Sequence, residues 1–337
     1  MKYYGTLGPS CADTEMLRRM LQEGMTGIRL NLSHKSLQES EEWIVNYFMA
    51  ADQEGVKVDF LIDLMGPELR IETLETEMIL GEKEKVLLGG KQIPIPDIIR
   101  PYLVKGQHVL LDDGKIVLQV AEDGKSRGAL CYVIQGGILR SNKSILLPGC
   151  QVDQPTLTPM DLKNLSAARK YGVTEVMLPF SRGKEDLRNL RCTLNGIGSS
   201  DIRIFAKIEN LDGVRNLEEM LPESDCIVIA RGDLGNAIPL TMLPCIQDQI
   251  ATICRKYKKD FMVVTQMLDS MMHHPYPTRA EVSDIFQAVM QGASSLMLTG
   301  ETAVGEYPVK AMEMLAQTGR HAETYRREKE KQENNFV

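Results

Sequence analysis

A chain of 337 residues, 43% hydrophobic and 25% charged, is long enough for one large domain with an insertion, or for two domains. Its formal net charge of −7, with no dominant basic stripe, argues against general nucleic-acid binding but leaves room for small anionic ligands. No apolar stretch approaches bilayer length and MKYYGTLGPS has no apolar signal core, so a cytoplasmic chain with no membrane partner is expected. Seven scattered cysteines (Cys11, Cys131, Cys150, Cys192, Cys226, Cys245, Cys254), with no CxxC pair, read as reduced core thiols.

Short apolar runs alternate with amphipathic helical patterns. YYGTLG precedes DTEMLRRMLQEG, where Asp13 can cap the helix and Gly24 can stop it. GIRLNLS precedes SLQESEEWIVNYFMAADQEG, with Ser36 as the candidate N-cap, and VDFLID follows. From about residue 70 to 148 the chain turns β-prone, with hairpin signals at Asp113-Gly114 and Asp123-Gly124. The βα alternation returns at TPMDLKNLSAARKYG, with Thr158 as N-cap and Pro159 at the first helical position.

Counted across the interruption, the pattern predicts eight strand–helix units. That is a (β/α)8 TIM barrel of α/β class, with a small β-rich lid inserted after strand 3. The expected domains are a barrel over 1–69 and 150–325, a lid over 70–149 and a polar tail over 326–337. A doubly wound sheet fits the pattern too, but no Gly-rich dinucleotide fingerprint follows the first strand.

The C-terminal strand ends of such a barrel line one mouth. Here they carry Arg29, Asn31, Ser33 and His34; Asp63, Glu68 and Arg70; Lys207 and Glu209; Arg231, Gly232 and Asp233; Thr265 and Gln266; and Thr299 and Glu301. Glu209 and Asp233 could hold a hard divalent cation with open positions. Arg29 and Lys207 supply positive charge for a phosphate or carboxylate. Asn31, Ser33 and Asp63 form an oxygen-rich cluster suited to a monovalent cation. Taken alone, Lys207-x-Glu209 reads as a structural ion pair. Set among the other strand ends, the two read as separate tools aimed at one substrate, equipment for phosphoryl transfer.

GTLGP, IRLNLSH, GPELR, DDG, AKIEN, ARGDLG, TQMLDSM, PTRAEVSD and LTGETAVGEYP occur in the order and spacing of pyruvate kinases, and the chain resembles that family from Lys2 to the helix after Pro308. The resemblance implies transfer of phosphate from phosphoenolpyruvate to ADP, with Mg2+ or Mn2+ on Glu209 and Asp233. It implies that Lys207 meets the transferring phosphoryl group and the enolate oxygen, and that Arg29 meets the phosphate. The Gly232 and Asp233 amides and Thr265 would bind the carboxylate, Thr265 would help protonate the enolate, and Thr299 stands where the family usually has Ser. Arg70, Lys143, His34 and Pro9 match nucleotide-contacting positions. Asn31, Ser33, Asp63 and the Leu64 carbonyl match a K+ site, and Glu68 matches K+-dependent members.

The chain departs from the family at Lys35, at Leu64-Met65 and at Asn236-Ala237. Its match stops before the family's C-terminal regulatory domain, so a homodimer through the barrel is expected in place of the usual tetramer. The alternatives are a barrel enzyme doing metal–enolate chemistry on a related acid without nucleotide, and a non-catalytic ligand-binding relative.

Overall fold

The computed structural model describes residues 1–66, 69–112, 114–123, 128–150, 152 and 154–334. Glu68, Asp113 and Gly124, which carry the expectations of K+ dependence and of two tight turns, lie outside the described residues.

Eight short runs become parallel strands: β1 (Lys2–Thr6), β2 (Gly27–Asn31), β3 (Asp59–Asp63) and, after the insertion, β11 (Glu175–Leu178), β12 (Arg203–Ile208), β13 (Cys226–Ala230), β14 (Phe261–Val264) and β15 (Ser295–Met297). They close into a barrel in the order β1-β15-β14-β13-β12-β11-β3-β2. Every residue of β11, β13, β14 and β15 is buried, as parallel strands covered on both faces require. Inward-facing Tyr4, Leu61, Met177, Phe205, Val228 and Met262 fill the interior. The opposite strand faces pack beneath the helices in a separate aliphatic layer.

Helix ends follow local chemistry. Asp13 accepts Met16 N at 2.9 Å, and Gly24 ends that helix at φ 117°. Thr158 caps Pro159–Ala167 through a full capping box. Ser36 is not the cap expected of it. The second helix is Glu41–Glu54, entered from Ser40, and Ser36 instead bonds the Glu39 carboxylate in its own turn. Leu37, buried in that turn with its amide on Asn164, keeps the segment from continuing as helix. The last helix runs from Pro308 to Asn334, so the polar stretch from 326 begins as the end of that helix. Buried Ala311, Met312, Leu315, Ala316 and Ala322 pack its earlier turns, and Arg326 donates to the Val289 carbonyl at 2.8 Å. All seven cysteines are free thiols, but Cys192 and Cys245 are exposed on outer helix faces and are not core residues.

The chain divides into two compact units, Met1–Gly66 with Thr156–Val337, and Pro67–Pro155. The second contains β4 (Met78–Leu80), β5 (Lys85–Leu88), β6 (His108–Leu111), β7 (Ile116–Glu122), β8 (Ala129–Gln135), β9 (Gly137–Leu139) and β10 (Ile145–Leu146). Five of these form an antiparallel sheet, β10-β6-β7-β8-β5, and β4 pairs with β9. Alternating inward residues such as Val109, Leu111, Leu118, Val120 and Cys131 give it a core of its own. Among the described residues, no helix is long and apolar enough to cross a membrane.

At the N-terminal end of the barrel, charge fills the interior. Tyr4 OH donates to Glu175 at 3.0 Å, Lys2 pairs with Asp59 at 2.6 Å, and Arg203 bridges Glu175 and Asp59. That floor is on the face where barrels carry stability rather than chemistry.

Candidate active site

The opposite end holds the strand termini singled out from sequence. Parallel pairing sets Asn31 beside Asp63 and Lys207 beside Val228, so period two projects Arg29, Asn31, Asp63 and Lys207 into the mouth. Arg29 grips Asp63 Oδ2 through Nη2 at 2.6 Å and Nε at 2.9 Å, and its Nη1 reaches Thr6 Oγ1 at 3.3 Å. Lys207 Nζ lies 3.2 Å from Asp63 Oδ2 and 2.8 Å from Glu209 Oε1. Lys207 and Glu209 are therefore direct partners, contrary to the expectation of two independent tools. Both are buried on one face two residues apart, where each is the other's nearest counter-charge.

Burial is the largest influence on each of these groups. It pushes the Glu209 carboxyl up to about 8, helped by the like charge of Asp233 and opposed by Lys207. Burial would lower the Lys207 ammonium and raise Asp63, but ion pairing overrides it, so Lys207 is raised and Asp63 lowered. Glu209 Oε2 accepts the Phe180 amide at 2.7 Å, from a residue held at φ 50° just after β11. Oε1 is buried and makes no hydrogen bond of good geometry besides its ion pair.

These observations fit a divalent cation. Glu209 Oε1 is buried with the Lys207 ammonium 2.8 Å away, and a second carboxylate, Asp233, is close enough to repel it. Among the described residues no cluster of three or more His, Cys, Asp or Glu could hold a metal, so water or substrate oxygens would complete its shell. The monovalent set is less open. Asn31 Oδ1 accepts the Ser33 amide at 3.1 Å, and Leu64 follows Asp63 with its amide on Met177 O. The Asp63 carboxylate, however, already serves as counter-ion to Arg29 and Lys207.

Across the mouth, Gly232 and Asp233 open the helix Arg231–Ala237 directly after β13. Thr265 and Gln266 follow β14 in left-handed conformations, φ 76° and 53°, which is strained backbone for a β-branched Thr. Arg231 holds that strain, donating to the Thr265 carbonyl at 2.7 and 3.1 Å while Asp284 orients it at 2.6 Å. A Cβ on Gly232 would come within 3.1 Å of Thr265 Cγ2, so the two segments touch where glycine permits it. Thr299 follows β15 with its amide and hydroxyl on the buried Glu301 carboxylate.

Pro9 and His34 lie in the turns after β1 and β2. Arg70 and Lys143 belong to the inserted unit and are neighbours there. Arg70 bridges Ser144 and donates to Asn142 O at 2.8 Å, while Lys143 pairs with Asp112 at 2.8 Å. Lys35 lies over the Trp43 ring at 4.0 Å.

Sequence reasoning missed the Phe180 amide and the clamp by Arg231, since neither main-chain partnership has a local signature. It read Thr158 as a cap but not Asp161, three residues on, whose place in a capping box was the available signal.

Comparison with known proteins places these strand ends in context. A family model described as pyruvate kinase, barrel domain, matches residues 1–312. A pyruvate kinase of Staphylococcus haemolyticus is 36% identical over 336 residues, covering 96% of this chain and 57% of that protein. One from Aeropyrum pernix is 37% identical over 326 residues, covering 96% of this chain and 70% of its own length. One from Geobacillus stearothermophilus is 36% identical over 323 residues, covering 93% and 55%. The chain thus spans little more than half the length of the first and third of these relatives.

Proposed function

The chain belongs to the pyruvate kinase family, and from that premise we propose that it transfers the phosphoryl group of phosphoenolpyruvate to ADP. The observation that carries this reading is the mouth cluster, in which Arg29 and Lys207 meet Asp63 and Glu209 with Asp233 close by. With Glu209 ionised to take a metal, two cations face three carboxylates and leave excess negative charge where a phosphate must enter. A divalent cation on Glu209 and Asp233 reverses that balance and would neutralise charge on the transferring group.

Lys207, kept protonated by its two carboxylate neighbours, faces the phosphoryl group and then the enolate oxygen, where a fixed ammonium stabilises developing charge. Arg29, already oriented by Asp63, presents its guanidinium to the phosphate. The Gly232 and Asp233 amides and the Thr265 and Thr299 hydroxyls take the carboxylate. Thr265, held in its strained conformation by Arg231, passes a proton to the enolate through water. Nucleotide contacts are proposed for Arg70, Lys143, Pro9 and His34. Mg2+ or Mn2+ on Glu209 and Asp233 is the proposed cofactor. K+ is proposed beside Asn31, Ser33, Asp63 and the Leu64 carbonyl. A homodimer through the barrel is proposed on the exposed side chains of Leu240 and Met242, in the short 3-10 turn before the helix Leu243–Lys256, and of Tyr276, in the loop before the helix Arg279–Met290.

A coupled pyruvate-release assay with and without ADP, Mg2+ and K+ tests the reading. Pyruvate formed with ADP and Mg2+ supports it. Enolate chemistry without nucleotide points to the related metal–enolate activity instead, and silence with measurable phosphoenolpyruvate binding points to a binding protein.

A further inference from the structure

Between the helices Leu243–Lys256 and Arg279–Met290 lies a cleft of about 260 Å3 with a mostly polar lining. That volume is short of a drug-sized cavity and suits a small molecule. Two neutral amides are buried in its wall, Gln247 with 5% and Gln291 with 7% of its surface exposed. They form a chain. Gln247 Nε2 donates to Gln291 Oε1 at 2.8 Å, and Gln291 Nε2 donates to Asp248 Oδ1 at 3.0 Å.

An ionised Asp248 can only accept, which fixes the direction of the chain and leaves Gln247 Oε1 as its unfilled end. Among the described residues that oxygen accepts no hydrogen bond, although a buried amide oxygen is costly to leave unmet. Asp284 offers a second acceptor. Its Oδ2 takes Arg231 Nη1 at 2.6 Å, while Oδ1 has no partner among the described residues. Arg231, the cation of the lining, is committed to the main chain, with Nε and Nη2 on the Thr265 carbonyl and Nη2 also on that of Gln266. Two carboxylates against one engaged guanidinium leave the cleft negative, with acceptors free and every nitrogen of its cation in use.

We propose that this cleft is a second ligand site, taking a small primary amine or guanidinium and signalling its occupancy to the mouth through Arg231. Such a cation brings several donors on one charge, the match for the amide oxygen and the two carboxylates. A phosphate or carboxylate would meet acceptors and like charge. The link to the mouth is Asp284. A cation bound there shares the carboxylate that orients Arg231, and Arg231 holds Thr265 at φ 76°. Occupancy therefore loosens Thr265 and slows turnover, a consequence that rests on the phosphotransfer reading above.

Agmatine, which carries both an ammonium and a guanidinium, is the probe, and isothermal titration calorimetry on the full chain reads it without reference to activity. One site per chain is expected, with a Kd of about 1 mM or tighter. Asp248→Lys puts a cation at the cleft from an exposed position and is expected to weaken binding about tenfold or more. Should the lysine variant not fold, Asp248→Asn carries the same measurement with an expected loss of about threefold. Succinate, a dicarboxylate, should not bind. No heat of binding up to about 10 mM agmatine, an unchanged Kd in the variant, or succinate binding as tightly as agmatine overturns the site.

In the kinetic arm, saturating agmatine is expected to lower the kcat of the wild type about threefold or more. The same concentration should leave Asp248→Lys at its own basal rate, which should match that of the unliganded wild type because Asp248 is outside the mouth. Equal inhibition of both proteins, or binding with kcat unchanged or raised, overturns the link through Arg231. A wild type that releases no pyruvate sinks the activity reading alone, and calorimetry then decides the cleft.

Discussion

Arg29 and Lys207 converge on a single oxygen, Asp63 Oδ2, at 2.6 and 3.2 Å. Asp63 thus keeps two like charges side by side in a buried mouth, where they would otherwise repel each other and pay for desolvation. The placement of both proposed phosphate-binding cations depends on that one carboxylate.

Lys207→Met removes the ammonium from the proposed path of the phosphoryl group. Pyruvate release is expected to fall by a factor of roughly 10²–10³ or more. The fold should survive, because Asp63 keeps Arg29 and Glu209, already raised to about 8, can take up a proton. A coupled assay beside a circular-dichroism melt checks both halves. Turnover like that of the wild type contradicts the assigned role.

Gly232→Ala separates function from stability. Gly232 is the second residue of the helix Arg231–Ala237, where alanine restricts the unfolded chain more than glycine does, so the melting temperature should change little. The new methyl meets Thr265 Cγ2 at 3.1 Å, against a backbone already strained at φ 76°. Activity should fall about tenfold or more, since small misplacements of reacting groups are costly. An unchanged KM and kcat would show that Thr265 yields freely.

Arg203→Met acts at the other end of the barrel. It leaves Glu175, fully buried and paired there with Arg203 and Tyr4, short of its principal cation. Allowing for the partial exposure of Arg203, the loss should be about 2–4 kcal/mol in denaturant unfolding. Activity per folded molecule should not change. A variant as stable as the wild type would mean that Lys2, 3.8 Å from Glu175, suffices.

Asp186 supplies a pH signature. Burial would raise its carboxyl, but hydrogen bonds from Arg182 and Thr156 overbalance this and hold it below its ordinary 3.8. A carboxyl depressed by folding stabilises above its unfolded pKa and loses that contribution as pH falls through its folded value. Asp186→Asn should therefore cost about 1–3 kcal/mol at neutral pH. The gap between variant and wild type should begin to narrow below about pH 4 and vanish only below the carboxyl's lower folded value. Unfolding curves from neutral to acid pH decide this, and a gap independent of pH would remove the ionic explanation.

Much of the site was legible because parallel strands carry their own ruler. Period two placed Arg29, Asn31, Asp63 and Lys207 on inward faces, and the βα rhythm put their ends at one rim. Capping chemistry at Asp13, Gly24 and Thr158 was equally local and equally readable. Ser36 misled because burial of Leu37 outweighed a cap signal, and Cys192 and Cys245 misled because helix phase sets exposure.

Sequence by itself determined which residues line the mouth, since alternation along a strand depends on no distant partner. Tertiary structure alone decided whom they face. Asp63 meets a lysine 144 positions away, Glu209 an amide 29 positions away, and Asp161 two amides 95 and 96 positions away. Such pairings depend on strand register and on closure of the sheet, which are properties of the whole barrel and of no single segment.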